Sequence, residues 1–118
     1  MRKFSPSAFV FMLCLSMQGV CGGESKELPE VESGRAVFVK AGCQICHANG
    51  GNSLNSDKPL KGTKFLKSFK DDRALARFIR QGREERGMPS FAKEKLSDRE
   101  LSQVIVYIRS LTSSTSAR

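Results

Sequence analysis

This 118-residue sequence has no tryptophan, one tyrosine, one histidine and only four cysteines. So few cysteines exclude a disulfide-rich miniprotein, and the length is that of one domain rather than a large α/β enzyme. Long hydrophobic runs are missing. The uncharged, largely apolar stretch Ala8–Met17 is ten residues long, about half the ~20 that a membrane span requires, which excludes a multi-span membrane protein. Alternating β-type runs and internal repeats are absent. Acid is in short supply, with 12 Asp+Glu against 20 Lys+Arg and a formal charge of +8. Apolar residues make up 39 % and recur periodically further along the chain, which argues against wholesale disorder.

Residues 1–22 have the order of a secretory signal: a basic start at Arg2 and Lys3, the run Ala8–Met17, then small residues at Gly19, Gly22 and Gly23. Cleavage is expected near Cys21–Gly23. The alternatives are a retained membrane anchor, lipidation at Cys21, or a buried core helix. Without this segment the basic residues fall by two, Arg2 and Lys3, no acidic residue is lost, and the charge is +6. Cys14, Cys21, Met1, Met12 and Met17 also go. What remains is one cysteine pair (Cys43, Cys46), one histidine (His47) and one methionine (Met88).

Residues 23–32 read as a flexible leader, rich in Gly, Glu and Pro. A short helix is expected over Ser33–Lys40, with Ser33 as N-cap, Val37 and Phe38 inward, and Gly42 ending it. Residues 48–64 have loop composition, and Phe65, Leu66 and Phe69 suit a short helical turn. Asp71 or Asp72 caps a helix over Arg73–Gln81, where Leu75, Phe78 and Ile79 share one face and Gly82 stops the chain. A second loop, 83–95, contains Gly87-Met88-Pro89. Ser97-Asp98-Arg99-Glu100 is a capping box, followed by the stripe Leu101, Val104, Ile105, Ile108 and Leu111. The tail 112–118 is expected to fray. The fold class is all-α, three to four short helices with long loops, the ordered domain being 33–111. A core this small is marginal by itself, and the cysteine inventory leaves no spare structural disulfide. A cofactor is the expected source of the missing apolar mass.

Cys43-Gln44-Ile45-Cys46-His47 has the spacing for c-type haem attachment. Two thiols on one helical turn add across the two vinyl groups, and the next imidazole lies under the iron. Three other readings compete. A redox-active thiol pair wants a βαβ setting, and a zinc site needs a carboxylate as fourth ligand. A disulfide across two intervening residues is the third. Haem electron carriers commonly pair His with Met, and Met88 is the one methionine outside the signal. The alternatives at that position are a methionine filling a core gap, a lysine ligand, or an open iron site.

On these residues the chain resembles the class I monohaem cytochromes c, most closely the short bacterial and cyanobacterial cytochrome c6-like type. The resemblance covers Ser33–Leu111. It rests on Gly34 and Phe38, on Cys43–His47, on Gly50-Gly51-Asn52, on Gly87-Met88-Pro89-Ser90-Phe91, and on Leu96-Ser97-Asp98 through Tyr107-Ile108. It implies a small class I fold wrapped around one covalent haem c, with Cys43 and Cys46 attached and His47 and Met88 as axial ligands. It also implies that Gly34 and Phe38 cross the last helix near Val104 and Tyr107. The family's Pro-x-Leu-x-Gly run is one residue shorter here, Pro59-Leu60-Lys61-Gly62, and Pro59 is the candidate for the carbonyl that orients the proximal imidazole.

Lys58, Lys61, Lys64, Lys67, Lys70 and Arg73 recur every third residue, and Arg77, Arg80, Arg83 and Arg86 continue the row. The plain reading is a solvated face. The functional one is electrostatic steering toward redox partners with an acidic docking surface, with Lys58, Lys61 or Lys64 as candidates to pair with the haem propionates. An anionic membrane surface is a further alternative. Nucleic acid is a poor fit without stacking aromatics beside the basic residues. The expectation is an exported monomeric electron carrier and not an enzyme, in the bacterial periplasm, with the thylakoid lumen or a membrane anchor as alternatives. A haem subunit of a dehydrogenase or oxidase, and a five-coordinate ligand-binding or peroxidase haem, are the competing functions.

Overall fold

The computed structural model describes residues 27–116. The signal expected over 1–22 lies outside the described residues. Five α-helices follow one another: α1 (Glu27–Lys40), α2 (Gln44–His47), α3 (Thr63–Ser68), α4 (Asp72–Gln81) and α5 (Asp98–Ser116). Short 3-10 turns occupy Ala48–Gly50 and Glu84–Arg86. Among the described residues there is no β-strand, only a single antiparallel bridge between Arg83 and Met88. No described helix is long and apolar enough to cross a membrane.

The last helix organises the rest. The capping box forms: Ser97 N–H donates to Glu100 Oε2 at 2.9 Å, and Glu100 N–H donates to Ser97 Oγ at 3.2 Å. Leu101, Val104, Ile105 and Ile108 then bury one face of α5. Phe38, Phe65, Leu75, Ile79, Phe91 and Leu96 complete the core. α1 crosses α5 at Gly34, whose position leaves no room for a side chain: a Cβ would run into the Gln103 carbonyl and lie 2.8 Å from Tyr107 Cβ. One turn on, Phe38 meets Tyr107 edge to face, ring centroids 5.1 Å apart. This is the crossing that the family resemblance implies. α4 is capped by Asp71, whose Oδ1 accepts from Ala74 N–H at 2.8 Å, and it buries Leu75 and Ile79.

Two helices run further than expected. α1 is helical from the first described residue, Glu27, so residues 27–32 of the expected leader are helical, and Ser33 is not an N-cap. Its hydroxyl donates instead to Pro29 O at 2.8 Å, one turn back. At the other end α5 continues to Ser116 through residues expected to fray. Thr112 Oγ1 accepts from Gly62 N–H at 3.0 Å, and Ser114 Oγ donates to Ser110 O at 2.9 Å. Hydroxyls that bond to the preceding turn or to a neighbouring loop let a Ser/Thr segment stay helical.

A salt bridge joins the end of α1 to the start of α5, Lys40 Nζ to Glu100 Oε1 at 2.8 Å. Lys40 first, then the Ser97 hydrogen bonds, hold the Glu100 carboxyl down at about 2 from its ordinary 4.5. The Asp98 carboxyl is lowered as well, by Lys93 and then Arg80. A depressed carboxyl adds stability above its unfolded pKa and loses it as pH falls through the folded one. The thermal midpoint of wild type is therefore expected to exceed that of Glu100→Gln at neutral pH. The gap closes as pH falls from 4.5 toward about 2. Ser97→Ala is expected to cost about 1 kcal/mol, read by chemical denaturation.

Candidate functional site

The cysteines sit where α1 stops. Gly42, at φ 82°, turns the chain left-handed, Gly42 N–H bonds Val39 O at 3.0 Å, and Cys43 N–H bonds Phe38 O at 3.1 Å. This pairing is the Schellman ending of a helix, and it needs a glycine at that position. It leaves Cys43 leading into α2, with His47 N–H on Cys43 O at 2.9 Å. Cys43 and Cys46 are therefore one helical turn apart on one face. Both are free thiols and half-buried, and burial pushes the Cys43 thiol above its ordinary pKa.

His47 is held by its own chain. Asn49 (φ 54°) and Gly50 (φ 75°) reverse the backbone, so that His47 Nδ1 lies 2.8 Å from Gly51 O. A carbonyl only accepts, so Nδ1 carries the proton and the Nε2 lone pair is left free. The orienting carbonyl is thus Gly51's and not Pro59's. The reason is that the two left-handed residues fold the chain back within four positions of the ring. Pro59 is nevertheless drawn close to this turn, because Leu60 N–H bonds Gly50 O at 2.8 Å. Lys61 packs its stem by Gly50, and Lys58 is exposed with its carbonyl accepting from Asn52 Nδ2 at 3.2 Å. Asn52 Oδ1 also accepts from Leu54 and Asn55 N–H, so one amide side chain shapes the loop.

Met88 stands across from Arg83 in the bridge, with paired backbone bonds of 2.8 and 3.0 Å. Gly82 (φ 65°) and Gly87 (φ 83°) bend the loop, and a Cβ on Gly82 would lie 2.6 Å from Ser90 N. Met88 is half-buried and packs against the same core cluster as Cys43. The two loops meet where Leu54 Cδ1 would lie 2.8 Å from a Cβ on Gly87. Two reduced thiols on one turn, an imidazole with a free Nε2 and a half-buried thioether fit a covalent haem. A zinc site is unsupported: no group of three or more Cys, His or carboxylate side chains converges among the described residues.

The family model described as "Cytochrome C oxidase, cbb3-type, subunit III" matches residues 29–108. Two proteins called cytochrome c6 are similar to this chain. One, from Leptolyngbya boryana, is 34% identical over 80 residues, 67% of this chain and 89% of that protein. The other, from Cyanidium caldarium, is 33% identical over 81 residues, 68% of this chain and 70% of that protein. The chain belongs to the class I cytochrome c family. It is a c-type cytochrome, an electron carrier, and its cofactor is covalently bound haem c.

Some features of this cytochrome leave little trace in sequence. Arg80, read as one of a basic row, has a side chain only 21% exposed and turned toward Phe91, Leu96 and Asp98. Arg109 ties α5 to the α3–α4 junction through Asp72 at 2.9 Å and Phe69 O at 2.8 Å. The Gly51 carbonyl had a partial signal, the Gly50-Gly51-Asn52 turn composition. Of the rest of the row, Lys61 is half-buried, and Lys58, Lys64, Lys67, Lys70, Arg73, Arg77, Arg83 and Arg86 are exposed.

Proposed function

We propose that this cytochrome is an exported one-electron carrier in which Cys43 and Cys46 hold the haem and His47 Nε2 and Met88 Sδ bind its iron. The observation that carries this reading is the His47 ring, pinned through Nδ1 to Gly51 O at 2.8 Å and presenting Nε2. A ring already oriented loses little conformational freedom when it binds metal. The haem, when bound, supplies a centre that changes by one electron. Cys43 and Cys46 would hold that centre, His47 Nε2 and Met88 Sδ would bind its iron, and the thioether would raise its potential. With Cys43, Cys46 and His47 so used, neither Cys nor His remains among residues 23–118 for acid-base or nucleophilic work.

Export is supported by Arg2, Lys3 and the uncharged run Ala8–Met17, and the bacterial periplasm is the proposed compartment. The exposed lysines and arginines of 58–77 suit redox partners with an acidic face. The matched family model favours a second reading, a haem subunit within a terminal oxidase.

The test is expression in a periplasm competent for haem maturation, followed by intact mass and oxidised and reduced spectra. One covalent haem, with the weak long-wavelength sulfur-to-iron band, is the expected result. Haem without that band and with rapid carbon monoxide binding would move the site to ligand chemistry. A mass without haem would return Cys43 and Cys46 to a thiol or metal role. Stable co-purification with an oxidase chain would select the subunit reading.

A further inference from the structure

We infer that Arg80 is a positioning residue that keeps the Met88 loop closed, and so keeps the thioether in place. The inference rests on the reading of Met88 as an iron ligand. Arg80 lies in the last turn of α4, two residues before the loop opens at Gly82. Its guanidinium Nη1 donates to Phe91 O at 2.9 Å and also to Leu96 O, and its Nη2 donates to Asp98 Oδ1 at 2.8 Å. Its own carbonyl accepts from Phe91 N–H at 3.2 Å. One side chain therefore grips the returning strand of the loop at Phe91, its end at Leu96, and the first residue of α5.

Several contacts tie the Met88 segment. The Arg83–Met88 bridge closes its tip, Ser90 Oγ donates to Glu84 Oε1 at 3.3 Å, and Gly82 packs against Pro89 and Ser90. Exposed Lys93 pairs with Asp98 at 3.0 Å, and Arg80 joins Phe91, Leu96 and Asp98 through one half-buried side chain. The planar fork spreads its donors wide enough to reach acceptors on three residues at once, and a compact lysine ammonium does not match that spacing. Without the guanidinium, two carbonyls beside the buried Phe91 and Leu96 lose their charged donor. The loop-open population then rises, and an outside ligand competes for the iron at correspondingly lower concentration.

The experiment compares haem-loaded wild type, Arg80→Gln, Arg80→Lys and Arg109→Gln. Arg109 is a matched control: its side chain is 24% exposed and bonded to a carboxylate and a carbonyl, but on the α3–α4 side. Two quantities are measured: the dissociation constant of imidazole at the iron, and loss of the sulfur-to-iron band against loss of helical ellipticity in denaturant. Arg80→Gln is expected to bind imidazole roughly tenfold more tightly, and to lose the band well before its helices. Arg80→Lys should fall between it and wild type. Arg109→Gln should lower both transitions together and leave imidazole affinity unchanged.

Imidazole affinity in Arg80→Gln equal to wild type would overturn the inference. So would band and helix failing together, as in Arg109→Gln. If Arg80→Gln does not take up haem, Arg80→Lys decides, and wild-type imidazole affinity in it is the overturning result. A wild type without the band overturns the Met88 ligation and this inference with it. A wild type with the band and an unaltered Arg80→Gln overturns this inference alone.

Discussion

Met88→Ala is expected to lower the reduction potential by on the order of 0.2 V, part of the ~0.8 V span that axial ligation covers. A thioether stabilises ferrous over ferric iron, so its removal favours the oxidised form. The substitution removes the thioether and its packing against the core cluster, and it keeps the backbone of the loop. The Met88 backbone is held by two bonds to Arg83, at 2.8 and 3.0 Å, and alanine makes both. The flanking glycines at φ 65° and 83° still set the bend. Covalent haem and helical content are therefore expected to persist while the sulfur-to-iron band vanishes and cyanide binds quickly. Potentiometry and optical titration read both effects. An unchanged potential would remove Met88 from the iron.

Gly34→Ala is expected to destabilise the holoprotein by at least ~3 kcal/mol, against a typical total of about 5–15 kcal/mol. Helix propensity alone predicts the opposite sign, a gain of about 1 kcal/mol for alanine over glycine within a helix. The crossing decides the matter. The new Cβ would meet the Gln103 carbonyl and come within 2.8 Å of Tyr107 Cβ and 2.9 Å of the Gln103 carbonyl carbon. Two of these three atoms are backbone of α5 and cannot rotate away. α1 and α5 must therefore move apart, and Phe38, which packs on Tyr107 one turn away, loses contact. Guanidinium unfolding followed by ellipticity measures the change. A midpoint at or above that of wild type would show that the helices do not cross as described.

Much of this molecule was readable before any coordinates. The Ser97–Glu100 capping box, the Asp71 cap and the apolar stripe of α5 are local patterns, and each forms as its spacing implies. The Cys43–His47 spacing is equally local, since one helical turn sets where both thiols go. Other features depended on what a residue meets across the fold. Lys64 and Arg80 belong to the same basic row, yet Lys64 is exposed and Arg80 clamps a loop. Nothing in their spacing separates them, because a period in sequence does not say which elements pack against each face. The carbonyl at His47 Nδ1 is Gly51's rather than Pro59's for a similar reason: the reversal at Asn49 and Gly50 is a backbone conformation, and it delivers Gly51.

Helix lengths followed the same division. The described turns of α1 from Glu27 and of α5 up to Ser116 lie in segments of mixed preference, Glu and Leu beside Pro29 in one and Ser and Thr in the other. A single turn is marginal alone and persists as the extension of a longer helix whose middle is packed. Chain composition and spacing thus determined an all-α cytochrome with its attachment motif, its capped helices and Met88 in a Gly-Met-Pro turn. Tertiary packing decided which arginines turn inward, which carbonyl orients His47 and how closely α1 approaches α5. Local preferences act over one turn of chain, whereas these three arise between residues that meet only once the fold has closed.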